Sequence, residues 1–112
     1  MKPVTHIVLL QFTPEVTETD RQEVAIKIQG LKDDCVHPQT GKRYMLSMKA
    51  GMDMSIEGSQ RDITHAFVSK FSTTDDRDYF VQEDLVHMAL VKAVKSKLRK
   101  VQVVDFIEGD FI

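Results

Sequence analysis

The segment Val4–Phe12 constrains the fold more than any other part of this 112-residue chain. Its branched apolar residues predict a β-strand, which Thr13 and Pro14 end. The side chains of a strand alternate between the two faces of its sheet. One face of this strand carries Val4, His6, Val8, Leu10 and Phe12, and the other carries Ile7 and Leu9. Because both faces are largely apolar, we expect the sheet to be covered on both sides.

Helix and strand patterns alternate along the rest of the chain. A helix is predicted over residues 17–31, with Thr17 or Thr19 as its N-cap and acidic residues in its first turn. Its buried stripe, at spacings i, i+4 and i+7, consists of Val24, Ile28 and Leu31. Further strands are predicted over residues 43–50, 63–71 and 101–107, and residues 51–62 are predicted to form a long loop.

The second helical region follows Thr74 and is predicted to break at residues 82–84, where a polar Gln-Glu-Asp step interrupts the apolar pattern. Beyond the break, the spacing i, i+4, i+7 and i+11 predicts one buried stripe formed by His87, Val91, Val94 and Leu98. On the second strand, alternation predicts one shared face for Tyr44, Leu46 and Met48.

The predicted order β-α-β-β-α-β is that of the ferredoxin-like fold, an α+β architecture. Right-handed crossovers then place both helices on one face of an antiparallel sheet. The opposite face has no cover, although it carries Ile7, Leu9, Ala66 and Val68. Large exposed apolar patches mark interfaces. We therefore expect a single domain over residues 1–112 and a homodimer whose sheets pack through these four residues.

Composition narrows the class of protein further. Hydrophobic residues make up 42% of the chain and charged residues 29%, as in a soluble globular domain. The 15 basic and 17 acidic residues give a net charge of −2, which argues against nucleic acid as the main partner. No apolar run approaches the roughly 20 residues that cross a bilayer, and no signal-peptide pattern is present. With Cys35 as the single cysteine, we expect a cytoplasmic protein without membrane contact.

Several short motifs together resemble the stress-responsive A/B barrel family. They cover almost the whole chain in the family's order: His6-Ile7-Val8-Leu9-Leu10-Gln11-Phe12, Ser55-x-Glu57-Gly58, Thr64-His65-Ala66-x-Val68-x-x-Phe71, Tyr79, Val86-His87-x-Ala89-Leu90 and Val103-Val104-Asp105-Phe106. The resemblance implies a ferredoxin-like dimer that forms an α+β barrel, in agreement with the prediction from strand alternation.

Members of this family include stress-associated plant proteins and a plant polyketide cyclase, olivetolic acid cyclase. The cyclase resemblance implies an aldol closure of a linear poly-β-ketone without cofactor, in a cavity between sheet and helices. By the same resemblance, His87 is the general base, Tyr79 orients a substrate carbonyl, and His6 and His65 line the cavity. Further lining residues are expected on the same strand faces: Val8, Leu10 and Phe67. The Tyr79-to-His87 spacing is two residues longer than in the plant cyclase.

Three functions stay open at this point. The first is a small cofactor-independent enzyme that acts on a carbonyl-rich, polyketide-like molecule by cyclisation or by a related lyase or isomerase step. The second is a non-enzymatic, stress-associated binding protein, in which His87 would be a core histidine bonded to a backbone carbonyl. The third is a cofactor-free oxygenase. The histidines lack chelating spacings such as H-x-H, so we expect no metal site.

Overall fold

The computed structural model describes residues 2–112, so Met1, the first residue of the predicted domain, lies outside the described residues. Within these described residues, four strands and four α-helices follow one another. In order, they are β1 Val4–Phe12, α1 Glu18–Gln29, α2 Leu31–Asp34, β2 Met45–Met52, β3 His65–Phe71, α3 Thr74–Gln82, α4 Leu85–Val94 and β4 Leu98–Ile107. A short 3₁₀ turn, Lys95–Lys97, joins α4 to β4.

The four strands form one antiparallel sheet in the order β2-β3-β1-β4. This order and the crossovers between the strand pairs are those of the ferredoxin-like fold, so the fold prediction is confirmed. The core lies between the sheet and the helices. Its buried sheet residues include Val4, Leu10, Phe12, Phe67 and Phe71.

The register of the sheet fixes how far apart the strand histidines are. His6 on β1 pairs with Ser69 on β3, whereas His65 pairs with Leu10. The two histidines therefore lie four residues apart along the strand direction, or about 13 Å. On its other side, β1 pairs with β4, and His6 lies opposite Asp105. The sheet thus brings His6 to a carboxylate rather than to His65.

The first helix begins as the sequence predicts. Thr17 is its N-cap, and the Thr17 hydroxyl accepts a hydrogen bond from the amide of Asp20 at 3.1 Å. The predicted helix over 17–31 is divided at Gly30, where the short helix α2 begins. Val24 and Leu31 are buried as predicted, and Ile28 packs against both parts of the core.

The predicted break in the second helical region is present between α3 and α4, but the predicted stripe beyond it is partly wrong. Val91 is 48% exposed, while Leu90 packs against the core. Leu98 begins β4, because α4 ends at Val94 and the 3₁₀ turn Lys95–Lys97 follows it. The inward face of α4 is therefore formed by His87, Leu90 and Val94, at spacings i, i+3 and i+7.

The predicted alternation on the second strand also fails at one residue. The pairing of β2 with β3 shifts between Met45 and Ser47, which is a β-bulge. Leu46 lies at this bulge and is 49% exposed, whereas Tyr44 and Met45 are buried. The extra residue thus turns Leu46 away from the face that Tyr44 and Met48 share.

The sheet face opposite the helices is apolar over three neighbouring strands. Ile7 on β1 pairs with Val68 on β3 and with Val104 on β4. Leu9 pairs with Ala66 on the same face. Phe106 and Val104 extend this patch at the β4 edge, where they are 45% and 48% exposed. We call this surface the outer sheet face.

Candidate active site

The break between α3 and α4 places a histidine against a backbone carbonyl. The amide groups of Glu83 and Asp84 both donate to the carbonyl of Tyr79, at 2.8 and 2.9 Å. In a continuous helix the Asp84 amide would instead bond to the carbonyl of Phe80. His87 Nδ1 lies 2.9 Å from that Phe80 carbonyl. The helix break therefore supplies the acceptor that fixes the His87 ring.

The hydrogen bond to Phe80 determines the tautomer of His87. A carbonyl oxygen only accepts, so His87 Nδ1 carries the hydrogen and Nε2 keeps its lone pair. Burial lowers the pKa of His87 and outweighs the Phe80 carbonyl, which acts in the opposite direction. The ring is therefore a neutral imidazole near pH 7. The sequence analysis left open that His87 is a core histidine bonded to a backbone carbonyl. The structure has this hydrogen bond, and it uses only Nδ1 of the ring.

The Nε2 atom of His87 is available to a ligand. Within residues 2–112, every buried side-chain nitrogen or oxygen has a hydrogen-bond partner. The hydrogen bond of the His87 side chain is made at Nδ1. Its Nε2 therefore has no hydrogen-bond partner in residues 2–112 and is not completely buried, and a neutral imidazole nitrogen with a free lone pair is able to accept a proton.

His6 is held in the same way, but by a carboxylate. His6 Nδ1 lies 2.7 Å from Asp105 Oδ1 on the neighbouring strand. Asp105 Oδ2 accepts a hydrogen bond from Arg77 Nη1 of α3, also at 2.7 Å. The His6 side chain is only 8% exposed, and its partner Asp105 is 20% exposed. Strands β1 and β4 and helix α3 thus converge on one buried ring.

Phe80 joins the two histidines into one site. The His87 ring stacks on Phe80 with ring centroids 4.0 Å apart, and the His6 ring meets Phe80 edge-on at 6.0 Å. His6 is close enough that a charge on it lowers the pKa of His87. The structure therefore brings together His6 and His87, two of the residues predicted for the site.

Asp84 holds the start of α4, and with it the backbone of His87. It is buried, and its Oδ1 accepts hydrogen bonds from the amides of Val86 and His87 at 3.0 and 3.3 Å. Its Oδ2 accepts a 2.5 Å hydrogen bond from the Tyr44 hydroxyl. Burial, followed by the charge and hydrogen bond of Asp84, raises the pKa of Tyr44 far above its usual range. Tyr44 is thus a permanently neutral donor that fixes the cap.

Tyr79 lies in the part of the aromatic cluster around Tyr44, which meets Phe80 through Phe71. Its ring is 4.8 Å from His37 and 5.7 Å from Tyr44, measured between centroids. The ring contacts of His87 are made with Phe80 instead. Burial and nearby acidic groups raise the pKa of Tyr79, so its hydroxyl is a neutral donor. The carbonyl-orienting role predicted for Tyr79 stays a prediction.

His65 lines a separate groove near the end of the sheet. The Thr64 hydroxyl donates to the Leu10 carbonyl at 3.2 Å, and His65 Nδ1 lies 2.9 Å from the same hydroxyl oxygen. Burial lowers the pKa of His65, and the charge of Arg21 adds to this effect. The groove, of about 610 Å³, lies between α1 and strands β2 and β3, and Phe67 also lines it.

The remaining predicted lining residues lie between these two places. Val8 pairs with Phe67 on one side and with Val103 on the other, and it is partly buried. Leu10 is 2% exposed and belongs to the packed core. The predicted residues therefore fall into a histidine site at His6 and His87 and a groove at His65 and Phe67.

Sequence reasoning missed most of the groups that hold the two histidines. Asp84 carries a usable signal, because an acidic residue directly before an apolar helix is a typical N-cap. Asp105 lies in one of the motifs that resemble the family, but the sequence does not indicate its partner. Arg77 and Tyr44 have no local signal, because their partners lie 28 and 40 residues away in the chain.

The described residues contain no group of three or more His, Cys, Asp or Glu side chains that could hold a metal ion. In residues 2–112, none of the helices is long and apolar enough to cross a membrane.

Solved structures with this fold were found by comparison. A protein from Arabidopsis thaliana is 24% identical, with a TM-score of 0.78 over 97% of this chain and 98% of the other. A hydroxynitrile lyase from Passiflora edulis is 18% identical, with a TM-score of 0.80 over 99% and 97% of the two chains. A dimeric ferredoxin-like protein of unknown function from Thermobifida fusca is 19% identical, with a TM-score of 0.70 over 95% and 91%.

No curated protein sequence gives a significant match to this chain. The family model of the stress-responsive A/B barrel domain matches residues 4–108, which include all four strands and the histidine site. This match confirms the family that the sequence motifs resemble. The chain therefore belongs to the stress-responsive A/B barrel domain family.

Proposed function

We propose that this protein is a small cofactor-independent enzyme that removes a proton from carbon next to a carbonyl group, on a polyketide-like substrate. The observation that carries the proposal is the state of His87: neutral, fixed at Nδ1 and free at Nε2. Such a nitrogen is suited to general-base catalysis near neutral pH. One structural neighbour is a hydroxynitrile lyase, so the same fold carries an enzyme there. The likeness extends to the fold alone.

The proposed reaction is an intramolecular aldol closure. His87 Nε2 takes a proton from the carbon between two carbonyl groups, and the resulting enolate carbon attacks a third carbonyl of the same molecule. A carbon–carbon bond forms, the C=O π bond opens to an alkoxide, and the imidazolium returns the proton to that oxygen. The same steps in reverse cleave a carbon–carbon bond, which is a lyase reaction when the two carbonyl fragments belong to separate molecules. The Tyr79 hydroxyl, as a neutral donor, would orient the carbonyl that is attacked.

The substitution of His87 tests this proposal. His87→Ala is expected to lower product formation from a linear poly-β-ketone by about 10²–10⁴-fold, because the proton acceptor is lost. His87→Gln is a second variant that fills more of the space left on Phe80. His37→Ala is the matched control, because His37 lies in a loop and its Nδ1 accepts from the Gln39 amide. Unchanged turnover in both His87 variants would exclude His87 as the base.

A binding protein without catalysis is the second candidate, and the groove at His65 supports it. The groove has the size of a small-molecule site and lies about 13 Å from His6 along the sheet. Binding of the poly-β-ketone without any product would favour this function. Product formation that requires oxygen would instead indicate an oxygenase, so the assay is run with and without oxygen. We expect turnover in both conditions.

We further propose that two copies pack through the outer sheet face to form a dimeric α+β barrel. The face carries a continuous apolar patch across β3, β1 and β4, and the neighbour from Thermobifida fusca is a dimer. The mass in solution at low micromolar concentration should be about twice 12.8 kDa.

Leu9→Lys should dissociate this dimer, because a charge in a dry interface is strongly unfavourable. Val81→Lys is the matched control: it places the same charge on α3, away from the sheet. A wild-type chain of monomeric mass, or equal dissociation by both variants, would contradict the proposed interface.

The reducing cytoplasmic location proposed for this protein agrees with the state of Cys35. The thiol is fully buried, and burial followed by the charge of Asp84 raises its pKa to about 12. It is therefore protonated and unreactive at neutral pH. A free, buried thiol of this kind needs no oxidising compartment.

A further inference from the structure

A chain of charged groups runs from the surface of α3 to the buried ring of His6. Arg77 donates through Nε to Asp78 Oδ1 and through Nη1 to Asp105 Oδ2, both at 2.7 Å. The other carboxylate oxygen of Asp105, Oδ1, lies 2.7 Å from His6 Nδ1. The side chains become more buried along this path, from 50% exposed at Asp78 to 26% at Arg77, 20% at Asp105 and 8% at His6.

This path determines what the His6 ring is able to do. The Arg77 guanidinium only donates hydrogen bonds, so Asp105 Oδ2 is the acceptor in their contact. An ionised carboxylate only accepts hydrogen bonds, so the hydrogen of a neutral His6 must sit on Nδ1. As at His87, the ring hydrogen bond is made at Nδ1, and Nε2 makes no hydrogen bond to residues 2–112 and is not completely buried.

Arg77 also fixes the position of the carboxylate. Asp105 uses Oδ1 for His6 and Oδ2 for Arg77, so the two contacts together define its plane. Arg77 is itself held at a second point by Asp78. Such planar, two-point contacts are a property of arginine that lysine does not share. If Arg77 were absent, Asp105 would be free to turn away from the ring.

We propose that Arg77 is a positioning residue that, acting through Asp105, holds His6 in the tautomer with a free Nε2. His6 then serves as a second hydrogen-bond acceptor for substrate near the base His87, with Phe80 in contact with both rings. This inference rests on the proposed function for the role of His6 in substrate binding. The tautomer itself is independent of any activity.

The direct test is the ¹⁵N NMR signature of the histidine rings, which distinguishes a bare from a protonated nitrogen. In the native protein, His6 should show a protonated Nδ1 and a bare Nε2. Asp105→Asn should move the hydrogen toward Nε2, because the amide group can donate to Nδ1. Arg77→Met should produce a mixture of the two tautomers, and Arg77→Lys should restore part of the native signature.

Arg43→Met is the matched control. Arg43 also pairs with an aspartate, Asp33, but that pair is more than half exposed and lies far from His6 in the chain. The control should leave the His6 signature unchanged. The thermal midpoint of each variant shows whether it is folded, and Arg77→Lys keeps the test valid if Arg77→Met unfolds.

Turnover supplies the second readout. Asp105→Asn should lower kcat/KM by about 10–100-fold, which is the range for loss of a hydrogen bond to a charged group. The loss should appear mainly in KM if His6 contacts substrate in the ground state. Unchanged tautomers in folded Asp105→Asn and Arg77→Met variants would overturn the positioning role. If the tautomers shift as expected but turnover is unaffected in the His87 variants, the positioning role of Arg77 is supported. The proposed function of His87 as the base is then contradicted.

Discussion

The aromatic cluster on the helix side of the sheet has two parts, which meet at Phe71 and differ in what their polar atoms do. In the histidine site, His6 and His87 each use Nδ1 to bond to the protein and leave Nε2 free. In the tyrosine group around Tyr44, the hydroxyl donates to Asp84, and His37 Nδ1 accepts from a backbone amide. The first arrangement leaves two ring nitrogens as acceptors for a ligand. In the second, the Tyr44 hydroxyl and His37 Nδ1 make hydrogen bonds within the protein.

Asp84 connects the two regions. One of its oxygens receives the Tyr44 hydroxyl, and the other caps the helix that carries His87. Tyr44 therefore supports the histidine site through Asp84 and the start of α4. This division predicts that substitutions in the two regions will separate stability from activity.

The largest effect on stability is expected from Tyr44→Phe. The substitution leaves the buried Asp84 Oδ2 without its donor and should lower the free energy of unfolding by about 1–3 kcal/mol. Tyr79→Phe removes a hydroxyl from the same aromatic group and should change stability by less than about 0.5 kcal/mol, because Tyr79 is partly exposed. Urea denaturation of both variants measures the difference.

For kcat/KM we expect the opposite order, with a larger loss in Tyr79→Phe than in Tyr44→Phe. If Tyr79 orients a substrate carbonyl, Tyr79→Phe should lower kcat/KM by roughly tenfold, the value of one hydrogen bond. Tyr44→Phe should lower kcat/KM less, because its hydroxyl is already donated to Asp84.

Two outcomes would contradict these predictions. Equal losses of stability in the two variants would show that the tyrosine group does not depend on Asp84. An unaffected kcat/KM in Tyr79→Phe would confine Tyr79 to packing.

The contrast between the regions also explains what the sequence could predict. The alternation in Val4–Phe12 predicts a two-sided strand, and the polar step at 82–84 predicts the helix break, because both patterns are local. The predicted stripe on α4 is wrong at Val91, because Leu90 packs inward in its place, and at Leu98, because a 3₁₀ turn ends the helix before the fourth repeat. The bulge at Leu46 left no signal in the alternation.

The histidine site was predictable only in part, because its geometry depends on pairings between distant segments. His6 and His87 were identified from a resemblance to family motifs. Their hydrogen-bond partners follow from the register of β1 with β4 and from the backbone at the end of α3. The separation of His65 from His6 likewise follows from the pairing of β1 with β3, which residue patterns do not specify.

The smallest effect concerns pH, and it compares His87 with His65, the buried histidine in the groove. Burial lowers the pKa of both rings in the folded state below the unfolded value of about 6.5. Between these values, the unfolded chain binds more protons than the folded one, so stability rises with pH. The contribution of each ring is complete above about pH 6.5 and is lost as the pH falls through its folded pKa.

We therefore expect the free energy of unfolding to decrease from pH 7 to pH 5, and the decrease to become smaller in His87→Gln and in His65→Gln. Urea denaturation at pH 7, 6 and 5 measures this slope, with His37→Gln as the control in the loop. The pH dependence of turnover should reflect the titration of His87 alone, because His87 Nε2 accepts the substrate proton only when the ring is neutral. Its pH profile should therefore keep its midpoint in His65→Gln. A midpoint that moves with His65 instead would place the base in the groove and not at the break between α3 and α4.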